Sequence, residues 1–71
     1  MTLGNRIRTR RERLGLTQNE IAEMTQLRQN YISRIENDKF EPTATVVVLL
    51  AKALDMPVGE LLGINNKKTT S

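Results

Sequence analysis

Residues 16 to 21 read Leu-Thr-Gln-Asn-Glu-Ile, and this stretch restricts the fold more tightly than any other in the chain. The Thr17 hydroxyl can accept from the backbone N–H three positions on. Glu20 sits at that position, with a side chain able to reach back to the Thr17 N–H. Leu16 before the cap and Ile21 beyond it have the spacing of a hydrophobic staple. A helix therefore begins at Gln18 and runs to Met24, burying Ile21 and Ala22. Gly15, just upstream, can take the positive φ that closes a preceding helix.

The rest of the chain arranges itself around that start. Leu3, Ile7 and Leu14 lie on one side of a first helix, with Arg6, Arg8, Arg10, Arg11 and Arg13 around it. After helix two, Leu27 is the lone apolar residue of a turn. Helix three spans Gln29 to Glu36 with Ile32 and Ile35 inward. About four residues separate the two helices, so they must fold back across each other at a large angle. A loop from Asn37 to Glu41 is closed by Pro42. Thr43 then caps a fourth helix to Leu54, with Val47, Leu50, Ala51 and Leu54 as its core stripe. Asp55 and Met56 break it, and Pro57 suits the first turn of a short fifth helix ending before Gly63. The expectation is an all-α domain of five helices over residues 1–64. Residues 65–71 are expected to be a polar tail with little reason to order.

The chain has 71 residues, with no cysteine and no histidine. Disulfides and nearly all zinc-site patterns are thereby removed, and stability must come from helix packing, within one chain or with a partner subunit. No apolar signal core opens the chain and no stretch approaches a membrane span, which reads as a cytoplasmic protein with no membrane association. The acids are scattered over separate elements and no glycine-rich phosphate loop is present, so neither catalysis, a metal, a cofactor nor a small-molecule ligand is expected.

Charge is distributed unevenly. Residues 1–34 hold seven arginines against Glu12, Glu20 and Glu23, whereas residues 35–66 hold Lys39 and Lys52 against five acids. A basic end suits a polyanion, although a modest surplus also fits an ordinary solvated surface. Helix four is unusually apolar, because Val46, Val48 and Leu49 fall beside or opposite its core stripe. Either the small domain buries it on most sides, or Val48 and Leu49 join Val58, Leu61 and Ile64 in a homodimer contact.

The stretch LTQNEIAEMTQLRQNYISRIEN, preceded by the basic helix and followed by EPTATVVVLLAKALDMPVGELLG, resembles the Cro/C1 or XRE-type helix-turn-helix domain of phage and bacterial repressors over residues 3–63. The resemblance implies five helices, a third helix lying in the major groove of double-stranded DNA, and dimers on two-fold symmetric operators. It also implies a regulator, most simply a repressor. Some positions depart from the family pattern. Gln26 stands where glycine is usual, Arg28 where a capping serine or threonine is usual, and Thr25 where an aliphatic residue is common. Pro57 replaces a frequent capping serine. A glutamine in a left-handed conformation costs about 1 kcal/mol, and a lost cap about the same.

Site residues follow from both lines of reasoning. With Ile32 and Ile35 inward, Gln29, Asn30, Ser33 and Arg34 lie on or near the outer face of helix three. Glutamine and asparagine can pair two-fold with adenine, and arginine with guanine, each discriminating by roughly 1–3 kcal/mol. Base contacts are thus expected from Gln29, Asn30 and Arg34, from Gln18 by family likeness, and from Arg28 at the helix mouth. Arg34 can alternatively pair with Asp38. Phosphate contacts are expected from Arg10, Thr17, Asn37, Lys39 and Tyr31. Tyr31 lacks a neighbouring aromatic platform, which argues against a single-strand surface. Its ring can pack near the loop after helix three, or its hydroxyl can reach a phosphate. Lys67 and Lys68 read as a solvated tail rather than a minor-groove arm. The resemblance further implies an ion pair between Arg11 and Glu36, leaving Arg10 free. A protein-interaction module or antitoxin partner of the same fold is the alternative, disfavoured by the polar outer face of helix three.

Overall fold

The computed structural model describes residues 1–64; the tail expected over 65–71, with Lys67 and Lys68, lies outside the described residues. The elements are α1 (Leu3–Arg13), α2 (Gln18–Thr25), α3 (Gln29–Glu36), α4 (Ala44–Ala53) and α5 (Val58–Leu62), with no strand among the described residues. Threonine hydroxyls start three of them. Thr2 accepts from Asn5 N, Thr43 from Val46 N, and Thr17 from Glu20 N, while the Glu20 carboxylate accepts in return from Thr17 N at 2.7 Å. Arg28 and Pro57 precede α3 and α5 without any side-chain cap.

Among the described residues, all five helices stop in the same way. A residue with positive φ follows each one: Gly15, Gln26, Asp38, Asp55 and Gly63 in turn. The next N–H then reaches back five residues, from Leu16 to Arg11 O, Leu27 to Ala22 O, Lys39 to Arg34 O, Met56 to Ala51 O and Ile64 to Gly59 O. This closure satisfies carbonyls that a helix end otherwise leaves orphaned. Gln26, at φ 65°, is the costly member, and the one local return from its side chain is a 3.3 Å bond donated to Glu23 O. Thr25 offsets part of the strain. Its hydroxyl donates to Ile21 O at 2.8 Å and accepts from Leu27 N at 3.3 Å, two bonds an aliphatic residue there lacks.

The main packing contacts close a ring: α3 on α2, α2 on α4, α4 on α5, α5 on α1, and α1 back on α3. Inside lie Ile7, Ile21, Ala22, Ile32, Ile35, Val47, Leu50, Ala51, Leu54 and Leu61. Each fully buried aliphatic side chain contributes roughly 1.5–3 kcal/mol. Gly4 brings α1 close to the end of α3, since a Cβ there would meet Ile35 O at 2.5 Å and Glu36 O at 2.6 Å.

The packing corrects two sequence expectations. Leu14 shares the face of Ile7 but is 41% exposed, because α1 ends at Arg13 and carries Leu14 past the ring's interior; Leu16 packs against the core instead. Leu61, expected at a subunit contact, is 0% exposed and belongs to the core. The short α5 rests on both α4 and α1, so it turns Leu61 inward and leaves Leu62 and Ile64 exposed. Val58 is half-buried against the core, whereas Val48 and Leu49 on α4 are exposed.

Candidate nucleic-acid interface

Held between α1 and α2, α3 divides sharply. Ile32, Ile35 and Glu36 are buried; Gln29, Asn30 and Arg34 are exposed; Tyr31 and Ser33 are half-buried. Arg28, exposed at the start of α3, makes no capping bond, so its guanidinium is not committed to its own helix.

Glu36 organises one flank of this face. Its side chain is fully buried, and an unpaired carboxylate there would cost several kcal/mol. Arg11 meets it with a fork, Nε donating to Oε2 at 2.7 Å and Nη2 to Oε1 at 3.0 Å, while Nη1 donates to Leu16 O at 2.9 Å. The hydrogen bond to Glu36 raises the Arg11 pKa above the ordinary arginine value, against the opposing effect of burial, so Arg11 stays charged. Oε1 also accepts from Gln18 Nε2 at 3.0 Å, and Gln18 Oε1 in turn accepts from Gln29 Nε2 at 2.6 Å.

This chain of bonds has a direction. A carboxylate only accepts, so Gln18 must turn its NH2 group inward and its carbonyl outward. The carbonyl in turn draws the NH2 of Gln29, which keeps its own Oε1 and a second N–H for a partner outside the protein. Gln18 is therefore not a free amide at the helix mouth. It is half-buried, with both ends bonded within the protein.

The five arginines of α1 sort onto different sides, and Arg10 is not where the sequence reading put it. Its Nε donates to Leu54 O at 2.9 Å and its Nη2 to Asp55 O at 3.0 Å, closing the C-terminal end of α4. Arg10 lies about 100° around the helix from Arg11, and that rotation carries it away from α3. Arg8, three residues before Arg11, lies on the α3 side. Its Nη2 donates to Asn37 Oδ1 at 2.9 Å and its Nε is 3.7 Å from Glu36 Oε1.

Other candidates are placed as follows. Thr17 and Lys39 are exposed, and Thr17 keeps its own O–H while accepting from Glu20. Asn37 Nδ2 donates to Ser33 O at 2.9 Å. Tyr31 does have an aromatic neighbour, since its ring lies 5.1 Å from Phe40 in the loop after α3. The intervening helix turn hides that proximity from the sequence. Arg34 is drawn over the same Phe40 ring at 5.8 Å. It does not pair with Asp38, whose carboxylate accepts from Thr2 Oγ1 at 2.7 Å and Gly4 N at 3.2 Å and so caps α1.

Two short, tightly turned helices, the first box-capped and the second with a polar outward face, define a helix-turn-helix protein. The chain belongs to the helix-turn-helix family, which it matches over residues 7–61. It is 35% identical over 63 residues to the immunity repressor protein of Bacillus phage phi105, covering 89% of this chain and 44% of that protein. The chain thus spans less than half the length of that relative. It is 32% identical over 69 residues to the control protein C.SmaI of Serratia marcescens, covering 93% of this chain and 82% of that one. In structure it is similar to the P22 c2 repressor solved with a synthetic operator, with a TM-score of 0.84 and 31% identity over 92% of this chain and 98% of that one. No described helix is long and apolar enough to cross a membrane.

Proposed function

We propose that this chain is a sequence-specific, double-stranded DNA-binding transcriptional regulator, acting as a repressor in the cytoplasm. It binds a two-fold symmetric operator as a homodimer with α3 in the major groove, and no catalytic role is assigned to it. The observation that carries this reading is the ordered amide pair of Gln18 and Gln29 beside the exposed Asn30 and Arg34. Such a face suits base edges, where bidentate amides and guanidinium groups discriminate by roughly 1–3 kcal/mol each. Relatives named as an immunity repressor and a control protein, and a structural neighbour solved with a synthetic operator, support the same reading.

In this reading Gln29, Asn30 and Arg34 contact bases, Gln18 orients Gln29, and Arg28 reaches the groove or its edge. Thr17, Asn37, Lys39 and the Tyr31 hydroxyl contact phosphates. Val48 and Leu49 on α4, with Leu62 and Ile64 at the end of α5, are exposed apolar side chains available to a subunit contact. Residues 1–64 act as the DNA-binding domain. Selection of bound duplexes from a random pool tests the proposal: two inverted half-sites about 34–36 Å apart are expected, and failure to enrich any sequence would overturn it.

A further inference from the structure

We infer that Arg8 is the α1 cation that contacts the DNA backbone, and that it does so while holding Asn37 in the orientation needed for a second phosphate contact. This rests on the DNA-binding reading above. Of the α1 arginines, Arg11 has all three guanidinium nitrogens engaged within the protein and its side chain is 12% exposed, while Arg10 is spent on the end of α4. Arg8 differs from both. Its side chain is 40% exposed, its Nη2 and Nε point to Asn37 and Glu36, and its Nη1 has no bonded partner among the described residues. Arg11 already pairs with Glu36, so Arg8 brings a second positive charge to that carboxylate at the C-terminal end of α3, where Asp38 is the other acid.

The bond to Asn37 gives Arg8 a second role. Asn37 Oδ1 accepts from Arg8, and Asn37 Nδ2 uses one hydrogen on Ser33 O. The amide is thereby locked with its carbonyl turned to Arg8 and its remaining N–H free for an anion. Without Arg8 the amide keeps its N–H on Ser33 O but loses the hold on its carbonyl, so the side chain can swing and its second N–H is no longer fixed toward the anion. Arg8 is thus both a phosphate contact and the positioning residue for Asn37.

The test compares Arg8→Gln with Arg13→Gln, which removes the same charge from an exposed position of α1 outside the site. Affinity for the selected duplex and its single-base variants is measured across a salt series. Arg8→Gln should weaken every duplex by about tenfold, the scale of one charge-assisted hydrogen bond. It should also make the logarithmic salt dependence shallower by about 0.9, one phosphate's worth of released counterions. Arg13→Gln should leave that slope unchanged. Arg8→Lys should restore the slope, and Asn37→Ala should cost less in the Arg8→Gln background than in the wild type. An Arg8→Gln slope equal to that of the wild type would overturn the phosphate contact while leaving DNA binding intact, and additive losses would overturn the hold on Asn37. A wild-type protein that enriches no duplex would remove the DNA-binding reading, and this proposal with it.

Discussion

Gln29 of α3 and Gln18 of α2 are joined by a 2.6 Å hydrogen bond, and the polarity of that bond is set by Glu36 behind it. Gln29, the side chain proposed to read a base, is therefore oriented before DNA arrives. Preorganisation of this kind lowers the entropic cost of binding. Gln18→Ala should accordingly relax base preference at the same operator position as Gln29→Ala, by about 1–3 kcal/mol. Affinities for a panel of single-base duplexes check this; relaxation at different positions would show that Gln18 acts independently.

Arg11 and Glu36 should be far more important for stability than for recognition. Arg11→Ala leaves a buried carboxylate without its fork, and a loss of about 3–5 kcal/mol is expected in urea melts. The pH dependence follows from the direction of the Arg11 shift. Its pKa is raised in the folded state, so its contribution is complete below the unfolded value and declines only as pH rises through the raised one. The Arg11→Ala deficit should be the same at neutral and mildly alkaline pH. Arg10→Ala should lose about 1–2 kcal/mol from its two bonds to the end of α4, with DNA affinity retained.

The turn between α2 and α3 carries a stability cost that can be removed. Gln26→Gly at φ 65° should stabilise by about 1 kcal/mol, raising Tm by roughly 4–8 °C for a domain of this size. Arg28→Ser should supply the missing α3 cap, worth about 1 kcal/mol, yet weaken DNA binding. Thermal melts paired with affinity measurements check both. An Arg28→Ser protein with full affinity would show that Arg28 has no place at the DNA.

Much of this was legible in the sequence because the helix starts and the core use local rules. The Thr17–Glu20 box, the spacing of Ile32 and Ile35, and the stripe Val47, Leu50, Ala51 and Leu54 each specify their own surroundings. What escaped depends on where separate helices meet. Arg10 and Arg8 look equivalent along α1 and differ only because α4 ends beside one and α3 beside the other. Leu61 and Leu62 are adjacent apolar residues, and only the seat of α5 on α1 and α4 decides which is buried. The Tyr31–Phe40 contact requires the loop to double back.

Leu61 and Leu62 separate folding from the proposed assembly. Leu61→Ala should cost about 2–5 kcal/mol as a core truncation. Leu62→Ser with Ile64→Ser should leave urea stability within about 0.5 kcal/mol, since both residues are exposed, but weaken the dimer. Sedimentation with and without the selected duplex checks the second claim; unchanged assembly would place the subunit contact elsewhere.

The most direct test of the account is the affinity of Gln29→Ala and Asn30→Ala for the selected duplex and for every single-base variant of its half-site. If α3 reads bases, each substitution should cost about 1–3 kcal/mol on the preferred site and much less on duplexes already altered at one position, which differs between the two variants. A uniform loss across all duplexes for both variants would contradict it, because these side chains would then hold the protein to DNA without reading its sequence.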